Sequence, residues 1–302
     1  MDTNYIIETK NLTKQYGSQK SVADLNIHVK RGRIYGLLGR NGAGKTTTMK
    51  MLLGLTKPTS GEVKIWGKSL QGNEKKLLPR IGSLIESPGF YPNLTATENL
   101  QIFATLRGIP NRHSIKNTLD LVGLPYKDKK LFSQYSLGMK QRLAIALAVM
   151  HDPELLILDE PTTGLDPQTR LLIWDIIEKL RVEEKLTVFL TTHYMEEAAN
   201  AGYVVILDKG SIVAEGTPFE LKNEYVQDTM SVYGVTEEEI KTLGREYKKI
   251  RDGYQLKVKN TAEATRLIVE HQEIFRDYEV VKGRMDDVFL AVTGKTLGGE
   301  HR

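Results

Sequence analysis

The sequence of 302 residues contains no cysteine. Disulfide bonds, thiolate metal sites and cysteine nucleophiles are therefore excluded. Aromatic residues make up only 7%, and the formal net charge is only +4. A charge this small is compatible with anionic small molecules or a membrane surface, but it is not the footprint of a nucleic-acid-binding protein. The remaining composition, 40% hydrophobic and 26% charged, is typical of a globular protein with one large or two modest domains.

Long hydrophobic runs are also missing. The apolar run LAIALAVM at 143–150 is far shorter than the roughly 20 residues that a membrane-spanning helix needs. The N-terminal stretch MDTNYIIETK has no apolar segment of the kind found in secretory signals. We therefore predict a soluble, cytosolic chain, and any role at a membrane would require a partner.

The first two-thirds of the chain alternate short apolar runs with longer helical patterns. This alternation is typical of an α/β fold with a largely parallel sheet. Buried strands are predicted at 33–39, 154–160 and 186–193, and a helix at 46–55. Residues from about 95 to 150 are predicted to be mostly helical, because their apolar positions recur at helical spacing.

The composition changes after residue 225. From there the predicted order is strand, helix, strand, strand, helix, strand, with a hairpin turn at Asp252-Gly253 and a final helix at 285–294. This is the order of a ferredoxin-like α+β unit. RNA-recognition modules share it, but YQLKVKN lacks their Gly-Phe-rich signature, which favours a structural or regulatory module. We therefore predict two domains, residues 1–225 and 226–302.

The stretch GRNGAGKTT fits the phosphate-binding pattern G-x-x-x-x-G-K-[ST]. Its glycines allow backbone N–H groups to turn toward phosphate oxygens without steric clashes. A lysine at this place sets a positive charge against the terminal phosphates, the next hydroxyl can ligate Mg²⁺, and the following helix directs its positive N-terminus at the same anion. The predicted nucleotide-binding residues of this loop are Gly39, Arg40, Asn41, Gly42, Ala43, Gly44, Lys45, Thr46 and Thr47.

Two acidic residues and a histidine follow two other predicted strands. Asp159, at the end of the apolar run in LLILDEPTTGLDP, can hold Mg²⁺ together with Thr46, and Glu160 can orient or deprotonate an attacking water. His193 ends the run LTVFLTTH. Beside a phosphate loop and two acids, we expect it to contact the γ-phosphate. The alternatives are that the acids cap the next element and that the histidine is structural.

With these motifs in this order, residues 5–220 resemble the ATP-binding subunits of ABC transporters. GRNGAGKTT is similar to the family's Walker A motif, and LLILDEP to Walker B with its catalytic Glu160. TTGLDP resembles the D-loop through Asp166, and TTH resembles the switch loop with His193. Tyr16 lies where an aromatic side chain of the family typically stacks on adenine. The resemblance implies a P-loop NTPase fold with a helical subdomain and an ATPase activity.

The segment YSLGMKQR lies where the family's signature motif belongs. Ser136 and Gly138 match that motif, whereas Leu137 replaces a glycine and Met139 replaces the glutamine. In the family, the serine and the N-terminus of the following helix bind the γ-phosphate in the opposite subunit. The resemblance therefore implies a head-to-tail dimer of two copies with two ATP molecules between them. From its residues alone, the segment is an N-capped amphipathic helix.

Glu86 follows the apolar residues of IGSLIESPGFYPN and precedes a Ser-Pro-Gly break. The resemblance assigns it to the family's Q-loop, where a glutamine usually reaches Mg²⁺ and the attacking water while the loop touches the transmembrane partner. A carboxylate is a stronger ligand for a hard cation, but it adds a like charge near Asp159 and Glu160. We expect Glu86 to sense Mg·ATP and to couple it to the membrane subunit. A solvated surface charge is the alternative.

Two groups within the family resemble this chain most. The N-terminal motifs are similar to those of bacitracin- and lantibiotic-type exporter ATPases, whereas TTHYMEEAANAGYV and MDDVFLAVTGK are more similar to the daunorubicin-resistance type. The resemblance implies an ATP- and Mg²⁺-dependent subunit at the cytoplasmic face of the cell membrane. There it would bind integral membrane permease subunits and power the export of an antimicrobial peptide, drug or lipid-linked substrate. Nucleic acid is not an expected partner.

Two alternatives come from other functional classes. The first is a soluble ABC-type ATPase acting on translation or DNA. Such proteins typically fuse two ATPase domains or insert long coiled coils, and this sequence has neither. The second is a ligand sensor that uses residues 226–302.

Overall fold

The computed structural model describes residues 5–86, 88–109 and 112–294. The chain divides after Val213 into two compact units. The predicted domain boundary at residue 225 stays a prediction. Within the described ranges, no helix combines the length and the apolar character that crossing a membrane requires.

The elements up to residue 216 are a mixture of strands and helices. In chain order they are β1 (Tyr5–Tyr16), β2 (Gln19–Leu25), β3 (His28–Lys30), β4 (Ile34–Gly39), α1 (Lys45–Leu52), β5 (Ser60–Ile65), β6 (Lys68–Ser69), α2 (Glu74–Leu77), β7 (Ile81–Leu84), α3 (Ala96–Leu106), α4 (Arg112–Leu121), α5 (Leu137–Val149), β8 (Leu155–Leu158), α6 (Pro167–Glu183), β9 (Thr187–Thr192), α7 (Met195–Ala198), β10 (Tyr203–Asp208) and β11 (Ser211–Gly216).

A six-stranded sheet in the order β11-β10-β4-β9-β8-β7 forms the centre of the first unit. Its strands from β10 to β7 pair in parallel, and every residue of β4, β8 and β9 is buried. This confirms the three strands predicted from apolar runs, since strands covered on both faces are apolar throughout. Parallel strands end at the same edge of a sheet, where ligands of open α/β sheets bind. The residues that follow β4, β7, β8 and β9 therefore meet at one edge.

A second sheet of five strands was not predicted. Its order is β2-β1-β5-β6, with β3 also paired to β1, and all of its pairs are antiparallel. The expectation of a largely parallel sheet is therefore wrong for this part of the chain. Register shifts interrupt the pairing of β1 with each of its three partners. Such irregularities break the two-residue alternation by which a half-buried strand is recognised in sequence.

The region predicted to be helical contains α3, α4 and α5. Helix α3 begins at a capping box, in which Thr95 accepts a hydrogen bond from the Glu98 N–H and the Glu98 carboxylate accepts one from Thr95. Helix α5 begins at the N-cap residue Ser136, and its residues 143–149 are buried on all sides.

The second unit contains α8 (Pro218–Tyr225), β12 (Asp228–Tyr233), α9 (Glu237–Thr242), β13 (Tyr247–Ile250), β14 (Gly253–Val258), α10 (Thr261–Glu270), β15 (Tyr278–Val281) and α11 (Met285–Thr293). Its four strands form a sheet in the order β13-β14-β12-β15, with antiparallel pairs throughout. Met230, Val232 and Leu256 belong to a separate hydrophobic core.

The hairpin between β13 and β14 is where the sequence predicts it, but its turn is shifted by one residue. Gly253 pairs with Ile250 as the first residue of β14, so that Arg251 and Asp252 make the turn. A Cβ atom on Gly253 would collide with the carbonyl oxygen of Val232 in the neighbouring strand. The glycine is therefore required by close strand packing rather than by the turn.

Candidate active site

The loop between β4 and α1 forms a cradle of backbone N–H groups. Its shape depends on Gly44, the residue before α1, whose φ of 102° lies in the left-handed region that glycine adopts without strain. A Cβ atom at Gly44 would also collide with the carbonyl oxygen of Ser21. The Ala43 N–H donates to the Arg40 carbonyl at 3.1 Å, which closes the loop. The predicted phosphate-binding residues thus lie together at the N-terminus of α1.

Lys45 is the charged residue of this loop and is almost fully buried, with 4% of its side chain exposed. Its ammonium group donates to the carbonyl oxygens of Gly39 at 2.8 Å and Arg40 at 3.3 Å. It also lies 3.2 Å from the Glu160 carboxylate. A buried ammonium group needs such partners, because burial without them would favour its neutral form. The cation is therefore held inside the loop, facing the place that an anion would occupy.

Thr46 and Asp159 meet across the sheet edge. The Thr46 hydroxyl donates to Asp159 Oδ2 at 2.8 Å. The other carboxylate oxygen of Asp159 accepts from the Thr191 hydroxyl at 2.6 Å, and the same Thr191 oxygen accepts from the Glu160 N–H at 2.8 Å. Thr191 therefore fixes both acids, a role that the sequence analysis missed. The only sequence signal was its position in TTH, at the end of a strand adjacent to β8.

Glu160 is the centre of the charged cluster. Its backbone φ of 48° lies in the left-handed region, which is uncommon for a residue with a side chain and concentrated at functional sites. Burial raises the pKa of its carboxyl group, but the nearby Lys45 charge, the Thr163 hydroxyl bond and His193 together bring that pKa below the ordinary value. Glu160 is therefore ionised at neutral pH.

His193 follows β9 and lies beside Glu160. Its Nδ1 atom is 3.3 Å from Glu160 Oε2, but it is buried and forms no hydrogen bond within the described residues. The His193 ring lies against that of Tyr194 at a tilt of 39°, with ring centres 4.1 Å apart. The guanidinium carbon of Arg170, on α6, lies 4.4 Å from the Tyr194 ring centre. Sequence reasoning did not identify Tyr194 or Arg170, which support the predicted histidine.

Ser136, Gly138 and Asp166 form a second group. Ser136 accepts a hydrogen bond from the Met139 N–H, and Asp166 caps α6 by accepting bonds from both the N–H and the hydroxyl group of Thr169. A Cβ atom on Gly138 would lie 2.5 Å from Thr169 Cγ2. The signature segment and the D-loop thus meet at Thr169, and Ser136 and Asp166 are both exposed. The described hydrogen bonds of Ser136 and Asp166 are each within the N-terminal turn of their own helix, and the described contacts of these two residues do not include the phosphate loop.

Tyr16 and Glu86 are the two remaining predicted site residues. Tyr16 ends β1 with 52% of the residue exposed, and the Lys14 ammonium group lies 4.9 Å from its ring centre. Glu86 follows β7 at the sheet edge, with a φ of 64°. Its carboxylate is 2.9 Å from the Lys50 ammonium group. The described contacts of this carboxylate are thus with α1, and its role as a metal ligand stays a prediction.

Comparison with known proteins identifies the family of this site. The family described as ABC transporter matches residues 22–163. The bacitracin transport ATP-binding protein BcrA of Bacillus licheniformis is 53% identical over 216 residues, which cover 71% of this chain and 70% of that protein. The Nod factor export ATP-binding protein I of Cupriavidus pinatubonensis is 35% identical over 302 aligned residues, covering 97% of this chain and 92% of its own length.

A solved structure shares the fold of the cassette. It is a dimeric ATP-binding cassette in a post-hydrolysis state with ADP and Pi, with a TM-score of 0.63 and 27% sequence identity. The alignment covers 70% of this chain and 98% of that one. The predicted P-loop NTPase fold of the ABC ATPase cassette and the resemblance to bacitracin-type ATPases are confirmed. The chain therefore belongs to the ABC transporter family, as an ATP-binding protein and ATPase of the type represented by the bacitracin transport ATP-binding proteins.

Proposed function

We propose that two copies of this chain hydrolyse Mg·ATP between them and thereby drive a separate membrane-spanning exporter of amphipathic peptide antibiotics. The observation that carries the proposal is the convergence of Lys45, Thr46, Asp159 and Glu160 at one sheet edge, directly beside the N-terminus of α1. A buried cation, a hydroxyl group and two carboxylates are the groups that phosphoryl transfer to water requires.

The oxygen atoms of Thr46 and Asp159 fit a hard divalent cation such as Mg²⁺. They lie 2.8 Å apart, and the described residues contain no cluster of three or more acidic, histidine or cysteine side chains that could hold a metal. Mg²⁺ usually binds through one or two protein ligands together with substrate phosphates. We infer that the cation enters with the nucleotide, and that Mg²⁺ neutralises charge on the phosphates when it is bound.

Glu160 is placed to act on water. Its carboxylate is ionised and held by Lys45 and the Thr163 hydroxyl group at 3.0 Å. An ionised carboxylate accepts a hydrogen bond from the attacking water and takes its proton as the oxygen bonds to the γ-phosphorus and ADP leaves. When the nucleotide binds, Lys45 exchanges part of its contacts for the phosphates. The Nδ1 atom of His193, which lies 3.3 Å from Glu160 Oε2 and has no hydrogen-bond partner among the described residues, can then contact the γ-phosphate. These roles are part of the proposal.

A second copy completes the site in this proposal. Ser136 and Asp166 are exposed on the chain, and the positive N-terminus of α5 begins at Ser136. An exposed helix N-terminus favours binding the phosphates of a nucleotide on another copy. Head-to-tail pairing of two copies would then give two equivalent sites.

Glu86 is proposed to couple the site to the membrane partner. It follows β7 at the same sheet edge as Asp159, and the Asp159 N–H donates to the carbonyl oxygen of Leu84 at 2.8 Å. Its left-handed backbone is a further indication of a functional position. We infer that the chain acts at the cytoplasmic face of the membrane through this partner.

Antibiotic export is tested directly in the host cell. A tagged chain, recovered from detergent-solubilised membranes, is expected to bring an integral membrane protein with it. Cells with the unaltered chain are expected to survive higher bacitracin concentrations than cells with the Lys45→Ala variant, because export requires ATP. Recovery of ribosomes or DNA instead, or equal survival, would reject peptide export.

A Nod factor is a second candidate substrate. The reason is that the Nod factor export ATP-binding protein I aligns with 97% of this chain.

The second unit is proposed to be a ferredoxin-like regulatory module. Support comes from its element order, strand-helix-strand-strand-helix-strand, and from a sheet order in which the first and third strands are central. Helix α8 packs against α11 within this unit.

The stack of Arg170, Tyr194 and His193 leads to a further prediction. Replacement of Tyr194 by alanine is expected to lower kcat for ATP hydrolysis roughly twofold to thirtyfold, because a cation–ring contact and a stacking surface for His193 are lost. Tyr194→Phe keeps the ring and is expected to retain most of the activity. Steady-state phosphate release measures both. Equal losses in the two variants would contradict a role for the ring.

A further inference from the structure

Lys50 and Glu86 form an ion pair beside the candidate active site. Lys50 Nζ lies 2.9 Å from Glu86 Oε1, and 35% of the lysine and 72% of the glutamate side chain are exposed. The pair joins a basic side chain of α1 to the Q-loop acid that follows β7.

The position of Lys50 on α1 determines where it holds Glu86. Thr46 and Lys50 are four residues apart and therefore lie on the same face of the helix, separated by a rise of about 6 Å. Thr46 is hydrogen-bonded to Asp159 at the start of α1, whereas Lys50 is in the last turn of that helix. The ion pair thus draws the Glu86 carboxylate toward the last turn, away from the oxygens of Thr46 and Asp159.

We propose that Lys50 is a positioning residue for Glu86, which neutralises its charge and holds it away from the phosphate loop until Mg·ATP binds. The inference rests on the proposed coupling role of Glu86 and adds the partner on which that role depends. It also explains how this chain accommodates an acid where three negative groups are already expected, namely Asp159, Glu160 and the γ-phosphate. A carboxylate without Lys50 would move freely among them and repel the nucleotide.

The exposed ion pair of Lys50 and Glu86 is weak enough to break when the nucleotide binds. Exposed ion pairs contribute little to stability, because water screens them and two long side chains must be ordered. Glu86 can therefore leave Lys50 at small cost when Mg²⁺ on a bound nucleotide offers a stronger electrostatic partner. A buried pair would not be exchanged so readily.

A double-mutant cycle separates positioning from simple charge effects. The variants are Lys50→Met, Glu86→Gln, their combination, and Lys50→Arg, in the full chain. Two measurements are the dissociation constant of ATP in EDTA and the Mg²⁺ concentration that gives half-maximal ATPase activity. Lys179→Met is the matched control, because Lys179 pairs with Glu183 at 3.8 Å on the exposed side of α6. A thermal melt of each variant reports any structural damage.

Lys50→Met is expected to weaken ATP binding in EDTA about tenfold, from an uncompensated like charge near the phosphates, and to lower the half-maximal Mg²⁺ concentration. Both effects are expected to disappear when Glu86 is already glutamine. Lys50→Arg and Lys179→Met are expected to behave as the unaltered chain. If Lys50 and Glu86 acted only as two fixed charges, each would change the free energy of ATP binding independently of the other. Additive effects of Lys50→Met and Glu86→Gln on ATP affinity would therefore overturn the proposal.

The coupling role of Glu86 is tested by a separate measurement. Glu86→Ala is expected to hydrolyse ATP without conferring bacitracin survival, whereas Glu86→Gln is expected to retain much of its ATPase activity. Full survival with Glu86→Ala would reject coupling through Glu86. That result would not affect the ATP affinities of the Lys50 and Glu86 variants, which test positioning by Lys50. Coupling through Glu86 and positioning by Lys50 therefore fail on different measurements.

Discussion

Replacement of Glu160 by glutamine is expected to reduce ATP turnover by roughly a hundredfold to ten-thousandfold, the range that a positioned general base contributes. Nucleotide binding is expected to remain, because glutamine has nearly the same shape and its amide oxygen can still accept the Thr163 hydroxyl bond. What is lost is the negative charge. The pKa of the Glu160 carboxyl group lies below its ordinary value, so that the group is ionised throughout the neutral range and glutamine removes a full charge.

The same variant is expected to accumulate as a closed pair of chains in Mg·ATP, because hydrolysis is the step that releases the dimer. Phosphate release measures turnover, and size-exclusion chromatography with and without ATP measures dimer formation. Glu183→Gln is a suitable control, since its carboxylate belongs to an exposed pair on α6. Turnover at the unaltered rate would show that Glu160 is not the group that activates water.

Replacement of Lys45 by alanine is expected to weaken ATP affinity roughly tenfold to a hundredfold, the effect of losing one charged hydrogen-bonding group. The ammonium group is buried and held by the carbonyl oxygens of Gly39 and Arg40. Its geometry is therefore fixed before nucleotide binds, and little conformational entropy is lost when phosphates replace part of these contacts.

The alanine variant is expected to change the neighbouring acid as well. The Lys45 charge is one cause of the low pKa of Glu160, and burial opposes it. Without Lys45, the pKa of Glu160 is expected to rise. As the pH is lowered, the residual turnover is then expected to be lost at a higher pH than in the unaltered chain, because Glu160 is protonated earlier. A fluorescent ATP analogue measures the affinity, and Lys68→Ala, at an exposed site in β6, is the control. Unchanged affinity would contradict the phosphate-loop assignment.

The parts of the site that were predictable are those that lie close together in sequence. Residues 39–47 form one continuous cradle, so the spacing of glycine, lysine and threonine carries the geometry directly. The pairing of Lys45 with Glu160 depends instead on the sheet order, in which β9 lies between β4 and β8. Sequence spacing does not contain that order. The acids were identified from chemistry, but their contacts became visible only in the fold.

Supporting residues were missed for a related reason. Thr191 and Thr169 are ordinary hydroxyl residues, and each becomes informative only through the two groups that it joins. The sequence does not distinguish Lys50 from the other lysines, and its significance becomes visible only through its ion pair with Glu86 in the fold. The five-stranded sheet was missed because its long first strand is irregular, whereas the buried parallel strands were recognised by continuous apolar runs.

The left-handed backbone shared by Glu86 and Glu160 has a consequence for how this chain can vary. Each residue adopts a φ that glycine tolerates better than any residue with a Cβ atom, at a cost of about 1 kcal/mol per position. Glycine at either place would relieve local strain and remove the carboxylate in the same step. Selection for thermal stability and selection for transport therefore oppose each other at these two positions. A library screened only for folding would tend to lose both acids.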